Sequence, residues 1–141
     1  AANRGENFTV IFANNQTYGM TGGQMAPTTL VGQKTTTTPF GRDPQSTGYP
    51  LKMCELLATL EAPAFVARYA LNTPKGVSDA KKGIKKAFEL QLAGKGFTFI
   101  ELLTNCPTNW GMSPLQTLDY MDTNTIPYFK PGIYKDTEVQ D

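Results

Sequence analysis

Three short, nearly unbroken apolar runs constrain this chain more than any other feature: Phe8 to Ala13, Phe65 to Ala70 and Phe97 to Leu103. Each has the length of a strand, and near-continuous apolar character marks a strand buried on both faces, as in a parallel sheet covered by helices. Helical patterns separate the runs. After Pro50, Met53, Leu56, Leu57 and Leu60 share one face while Lys52, Glu55 and Glu61 fall elsewhere, and Pro63 follows the end. From Ser78, Ala80, Ile84, Phe88 and Leu92 line one side of a second helix that Gly94 and Gly96 close. Its Lys81, Lys82, Lys85 and Lys86 read as a solvated face, with docking of an acidic partner as the alternative. Ser113-Pro114-Leu115-Gln116 supplies an N-cap, a first-turn proline and a capping-box partner for a third helix, turning Leu115, Leu118 and Met121 inward. The order strand–loop–helix–strand–helix–strand–helix predicts an α/β fold with parallel strands joined by right-handed crossovers. Three strands make a small sheet for that class.

The first run ends in Asn14-Asn15, and residues 14–50 form a connection rich in Thr, Gly and Pro. Connections this long are usually functional or disordered. Its place between a buried strand and a helix favours a site loop, and its scarce apolar content predicts little to hold residues 16–48 without a ligand. Ligands of parallel sheets bind beyond the carboxyl ends of the strands. Two side-chain amides there, followed by Gly19, Gly22 and Gly23, offer oxygen ligands and closely approachable backbone for a hard cation and its phosphates. The same pair also reads as turn chemistry, since Asn bonds its own backbone and tolerates left-handed geometry.

A longer string bears on this choice. Asn14-Asn15 and the run Tyr18-Gly19-Met20-Thr21-Gly22-Gly23-Gln24-Met25-Ala26-Pro27-Thr28-Thr29 resemble the β subunits of 2-oxoacid:ferredoxin oxidoreductases, of the 2-oxoglutarate or branched-chain 2-oxoacid type. The resemblance continues through Thr37-Thr38-Pro39-Phe40-Gly41-Arg42-Asp43 and Asn105-Cys106-Pro107-Thr108-Asn109-Trp110-Gly111, covering nearly the whole chain. It implies a three-layer, parallel-sheet thiamine diphosphate-binding fold. In that family a Gly-Asp-Gly segment upstream of Asn-Asn helps to grip magnesium and diphosphate, and none occurs here. The chain opens at Ala1-Ala2-Asn3-Arg4-Gly5, without an initiator Met and resembling a last helical turn closed by glycine. Residues 1–141 are therefore expected to be the C-terminal part of a single thiamine diphosphate-binding domain lacking its N-terminal strands and helices. Residues 124–141 are expected to be a C-terminal arm whose Tyr128, Phe129 and Tyr134 pack on something larger, frayed from Lys135 to Asp141.

Carried over by position, the resemblance makes Asn15 the side-chain ligand of Mg2+ and Thr17 a ligand through its backbone carbonyl. Tyr18, Gly19, Met20 and Thr21 then border thiamine diphosphate; related pyruvate enzymes tend to place Asn where this chain has Met20. The implied reaction is CoA-dependent oxidative decarboxylation of a 2-oxoacid with ferredoxin as electron acceptor. The implied partners are an α subunit completing the aminopyrimidine side, γ and ferredoxin-like subunits, and ferredoxin. The activating Glu comes from a partner in this family, so no catalytic residue is assigned among Glu6, Glu55, Glu61, Glu89, Glu101 and Glu138. Cys106 matches the position that in some relatives gives a thiolate to a 4Fe-4S cluster; a lone Cys is also commonly an inert small hydrophobe. Cys54, on a helical core face, reads as structural.

The totals narrow the field. A net charge of +1 argues against nucleic acid or an anionic membrane as partner. No apolar run approaches the ~20 residues that span a bilayer, and two cysteines are too few for a disulfide framework, which fits a cytoplasmic protein. The absence of histidine removes His-based triads and His metal sites. Two other functions remain in view: a non-redox thiamine diphosphate decarboxylase or synthase, against which Cys106 and Gly22-Gly23-Gln24 speak, and a cofactor-free interaction module.

Overall fold

In the computed structural model, which describes residues 1–138, the three apolar runs are strands. A 3-10 turn, Ala2–Arg4, closes on left-handed Gly5 before β1 (Thr9–Asn14). A short hairpin follows, β2 (Thr17–Tyr18) and β3 (Gln24–Met25), then α1 (Pro44–Thr47) and α2 (Met53–Ala58). β4 (Phe65–Ala70) leads into α3 (Pro74–Leu92) and β5 (Thr98–Leu103). Then come α4 (Pro107–Trp110) and α5 (Pro114–Tyr120), which runs through a π-helical stretch, Met121–Thr125, into α6 (Ile126–Tyr128), followed by β6 (Gly132–Asp136).

The sheet order is β1-β5-β4-β6, with β5 parallel to both neighbours. Alternate residues of a strand face opposite ways, and both faces are covered. Val66 and Phe99 pack with Cys54 and Leu57 of α2, while Phe65, Ala67 and Ile100 pack with Ala87 and Leu90 of α3. This is the three-layer α/β arrangement with a mostly parallel sheet. Burial on both sides explains why the runs are apolar without alternation.

Four expectations are corrected. The segment beyond residue 124, expected as an arm packed on something larger, packs on this chain's own sheet: β6 pairs antiparallel with β4, and Phe129 is fully buried with Leu30, Ala70, Leu103 and Met121. The expected fraying from Lys135 holds neither for Lys135 nor for Asp136, which belong to β6, and residues 139–141 lie outside the described ones. α3 begins at Pro74, because Thr73 caps it by accepting from the Gly76 N–H at 3.0 Å. Its buried stripe is Ala80, Gly83, Ala87 and Leu90, whereas Phe88 and Leu92 are exposed. The cause is close approach: a Cβ on Gly83 would lie 2.3 Å from the Tyr69 ring, so the small residues set the buried face. Leu56 and Leu115 are likewise exposed, with Cys54 and Leu57 buried in α2 and Thr117 in α5.

The long connection is not loose either. The Arg42 guanidinium donates to six backbone carbonyls, those of Ala26, Pro27, Thr29, Thr47, Gly48 and Tyr49, at 2.7–3.4 Å. Carbonyl dipoles take the place of an acidic partner, and the side chain gathers both ends of the loop at one point. Polar residues thus hold a segment that its low apolar content left without visible support.

Candidate functional site

β1 and β5 end level, with Asn14 beside Leu103, and the turns after them meet. Asn14 is buried: its amide nitrogen donates to Glu101 Oε1 at 2.7 Å, and its Oδ1 accepts from the Gln16 N–H at 3.1 Å and from Thr28 Oγ1 at 2.8 Å. Gln16 has φ +63°, the one non-glycine in the left-handed region among the described residues. Asn14 is turn chemistry, and the turn it builds presents Asn15.

Asn15 sits where several elements converge. Its carbonyl accepts from the Trp110 indole N–H at 3.0 Å, and its Oδ1 accepts from the Thr17 N–H at 3.3 Å. A Cβ on Gly19 would fall 2.9 Å from Asn109 Nδ2, 3.7 Å from Asn15 Nδ2 and 3.8 Å from Cys106 Sγ. Asn109 in turn donates to Cys106 Sγ at 3.1 Å. The short α4 makes this possible: Cys106 precedes it, Pro107 starts it, and left-handed Gly111 ends it. Trp110 is braced on its other side by Tyr120, ring centroids 5.1 Å apart.

Of the other expected site residues, Thr17 is buried and Tyr18 is exposed. Met20 extends wholly into solvent. Thr21 is occupied locally, its hydroxyl bonding Gln24 Oε1 while Gln24 returns a bond to the Thr21 carbonyl. The structure thus brings Asn15, Gly19 and Cys106 together and leaves the side chains of Tyr18 and Met20 facing outward. Among the described residues no three of Asp, Glu, Cys and His form a possible metal-binding group.

A cavity of about 370 Å³ runs along β1, lined by Val10, Phe12, Asn15, Thr17, Leu51 and Phe99 among others. Gln16 Oε1 and Thr17 Oγ1, both buried, have no hydrogen-bond partner among the described residues. Each such group costs ~1–3 kcal/mol. The Thr17 hydroxyl can donate to a diphosphate oxygen, and the Gln16 amide oxygen, an acceptor only, suits the water shell of a hard cation.

Sequence reasoning missed the charged cluster beneath the turn. Arg68 and Glu101 are both fully buried, with Nε donating to Oε2 at 2.8 Å. Arg68 also bonds both carboxylate oxygens of Glu55, the Tyr134 hydroxyl and the Lys130 carbonyl. Cys54 donates its thiol to Glu101 Oε2 at 3.3 Å, and burial, then the Glu101 charge, push its pKa far up, so it is inert as a nucleophile. Burial alone would raise the Glu55 pKa; the hydrogen bonds from Arg68, its own backbone N–H and the Tyr134 hydroxyl, together with the Arg68 charge, outweigh it and hold that carboxyl below its ordinary value. The Tyr134 phenol is pushed up to about 12, chiefly by burial. Arg68 and Glu101 interrupt their apolar runs at the same depth, and the β4–β5 register sets them side by side; that shared depth was the available signal.

Residues 1–102 match the family model described as "Thiamine pyrophosphate enzyme, C-terminal TPP binding domain". The ketoisovalerate oxidoreductase subunit VorA of Methanothermobacter thermautotrophicus is 60% identical over 109 residues, which is 77% of this chain and 23% of that protein. The 2-oxoglutarate synthase subunit KorB of Methanocaldococcus jannaschii is 37% identical over 129 residues, 87% of this chain and 43% of that protein. The chain thus spans less than half the length of these relatives. A solved 2-oxoglutarate:ferredoxin oxidoreductase from Magnetococcus marinus, with 2-oxoglutarate, coenzyme A and succinyl-CoA bound, superposes with a TM-score of 0.72 at 24% identity, over 99% of this chain and 50% of that one. That likeness concerns the fold. The expected family and its cofactor, thiamine diphosphate, stand: this chain belongs to the thiamine pyrophosphate enzymes, through their C-terminal TPP binding domain.

Proposed function

We propose that this chain forms the diphosphate and Mg2+ side of the cofactor site in a 2-oxoacid:ferredoxin oxidoreductase that decarboxylates a branched-chain 2-oxoacid with coenzyme A as acyl acceptor. The observation that carries this reading is the convergence of Asn15, Gly19, Cys106 and Asn109 at the carboxyl ends of β1 and β5. The higher identity to a ketoisovalerate oxidoreductase subunit than to 2-oxoglutarate synthase subunits supports the substrate class.

In this reading Asn15 gives Mg2+ its side-chain oxygen and Thr17 its backbone carbonyl, and the carboxylate ligand comes from outside these residues. Gly19 and Gly23 admit the Asn109 side chain, which fills the space a Cβ would take, and the Thr17 hydroxyl, without a partner among the described residues, donates to the diphosphate. Met20 and Tyr18, exposed here, are covered by the α subunit that brings the aminopyrimidine side and the activating Glu. Cys106, partly exposed, serves as a thiolate ligand of a 4Fe-4S cluster whose other thiolates lie beyond this chain. Thiamine diphosphate, when bound, supplies the electron sink for decarboxylation. Electrons pass to ferredoxin through the γ and ferredoxin-like subunits. The assembly is cytoplasmic; among the described residues no helix is long and apolar enough to cross a membrane.

The test is made on the complex purified through a tag on this chain. It is expected to reduce a viologen dye in the presence of a branched-chain 2-oxoacid, with strict dependence on coenzyme A. A complex that retains thiamine diphosphate but decarboxylates without dye reduction would overturn the oxidoreductase reading in favour of a non-redox enzyme.

A further inference from the structure

Asn14 and Glu101 are both buried and bond within the protein through every side-chain polar atom, and one bond between them governs the turn. The Glu101 carboxylate is met by donors on both oxygens: Oε1 accepts from Asn14 Nδ2 at 2.7 Å, and Oε2 from Arg68 Nε at 2.8 Å and the Cys54 thiol at 3.3 Å. A carboxylate accepts only. It therefore forces the Asn14 amide nitrogen toward itself and the amide oxygen the other way. That oxygen holds the Gln16 N–H at 3.1 Å and the Thr28 hydroxyl at 2.8 Å. The opposite orientation would set an amide nitrogen against both of those donors and an amide oxygen against a carboxylate. The Gln16 bond closes the turn in which Gln16 adopts φ +63°, a conformation costing ~1–2 kcal/mol in a residue with a Cβ. That turn sets the direction of Asn15, whose carbonyl is then pinned by Trp110.

We propose that Glu101 is a positioning residue for the cofactor site: its carboxylate, fixed by Arg68 on one side, dictates the Asn14 amide orientation and through it the turn that presents Asn15. This rests on the cofactor reading above for what the turn is used for, and on the geometry alone for how the turn is set. The polarity of the pair can be reversed as a unit. Exchanging the two groups, Asn14→Asp with Glu101→Gln, keeps every bond. The amide nitrogen introduced at position 101 then donates to the carboxylate introduced at position 14, and the amide oxygen accepts from Arg68 and Cys54. The carboxylate at position 14 still accepts from Gln16 and Thr28. Either change alone sets two donors or two carboxylates face to face.

The experiment compares Glu101→Gln, Asn14→Asp and the double variant in the purified complex, reading backbone exchange of the Gln16 amide, thermal midpoint, and binding of thiamine diphosphate with Mg2+. Each single variant is expected to speed Gln16 exchange by about tenfold or more, the loss expected for one buried hydrogen bond, and to weaken cofactor binding. The double variant is expected to return both toward the parent values. A role for Glu101 confined to neutralising Arg68 predicts no rescue, since the double variant leaves position 101 uncharged. Parent-like Gln16 exchange in Glu101→Gln, or a double variant no better than Glu101→Gln, overturns the inference. If the single variant does not fold, a folded double variant is the rescue, and two unfolded variants overturn it. Rescue of exchange with cofactor binding unchanged throughout would uphold the turn-setting role and overturn the cofactor reading instead.

Discussion

The indole N–H of Trp110 donates to the carbonyl oxygen of Asn15 at 3.0 Å, tying the turn after β5 to the turn after β1. Ninety-five residues separate the two in sequence. The bond fixes the peptide that follows the proposed magnesium ligand, and the ring's other contact, Tyr120, fixes the indole. Trp110→Phe keeps a benzene ring against Tyr120 and removes the donor together with the pyrrole part of the indole. It is expected to cost ~1 kcal/mol by chemical denaturation, whereas Trp110→Ala costs ~3 kcal/mol or more through the cavity it leaves. Equal losses in both variants would show that the hydrogen bond contributes little.

Arg42 is expected to be a local fastener. Arg42→Ala leaves the carbonyls of Thr29, Thr47, Gly48 and Tyr49 without their donor, while those of Ala26 and Pro27 keep backbone partners, and a carbonyl left buried and unpaired costs ~1 kcal/mol or more. Hydrogen exchange should rise throughout residues 26–49 while β1, β4 and β5 keep their protection. Lysine, a point donor without the planar fork, is expected to restore little of it. Uniform loss of protection across the sheet would mean the loop and sheet unfold as one unit.

Two glycines with nearly the same backbone make a controlled pair. Gly23 (φ +78°) and Gly32 (φ +76°) both sit in the left-handed region, but a Cβ on Gly23 would lie 2.7 Å from Asn109 Oδ1 while one on Gly32 meets nothing within 4 Å. Gly32→Ala is expected to show backbone strain alone, ~1 kcal/mol. Gly23→Ala adds a clash with the residue that holds Cys106, and thermal melts should show it the more destabilised.

The order of these effects also shows what was legible in the sequence. β1, β4 and β5 were readable because burial on both faces leaves a local trace, and so was the Ser113–Gln116 capping box. β6 was not, since Gly132–Asp136 carries charge and gains strand character only by pairing with β4. The buried face of α3 escaped because Gly83 and Ala87 matter through closeness to Tyr69, which hydrophobicity does not record. At the candidate site, the surrounding strings singled out Asn15 and Cys106, and the structure brings both to Gly19. Glu101 was not, because its work is done through Asn14 and appears only once the strands are in register.

The Glu55 carboxyl makes stability depend on pH in a definite sense. Its folded pKa lies below the ordinary 4.5: burial would raise it, but the Arg68 hydrogen bonds and charge, with the backbone N–H and the Tyr134 hydroxyl, together outweigh that. The unfolded chain therefore binds the proton more readily, so the stabilisation is fully present above the unfolded value and is lost as pH falls through the folded one. Between about pH 3 and 6 the thermal midpoint should fall less steeply in Glu55→Gln than in the parent chain. Parallel slopes would remove Glu55 from the acid transition.

The central claim is that the turn after β1 holds the metal-bound cofactor, and Asn15 tests it most directly. The complex carrying this chain is stripped of metal and cofactor with a chelator, then titrated with thiamine diphosphate at saturating Mg2+, for the parent and for Asn15→Ala. Removing one of about six oxygen ligands should weaken binding by tenfold or more, ~1.4 kcal/mol. The melt of the stripped protein should barely move, because among the described residues the Asn15 side chain makes a single hydrogen bond, at 3.3 Å. Equal affinity in the two proteins would contradict the account and leave Asn14-Asn15 as the structure of a turn alone.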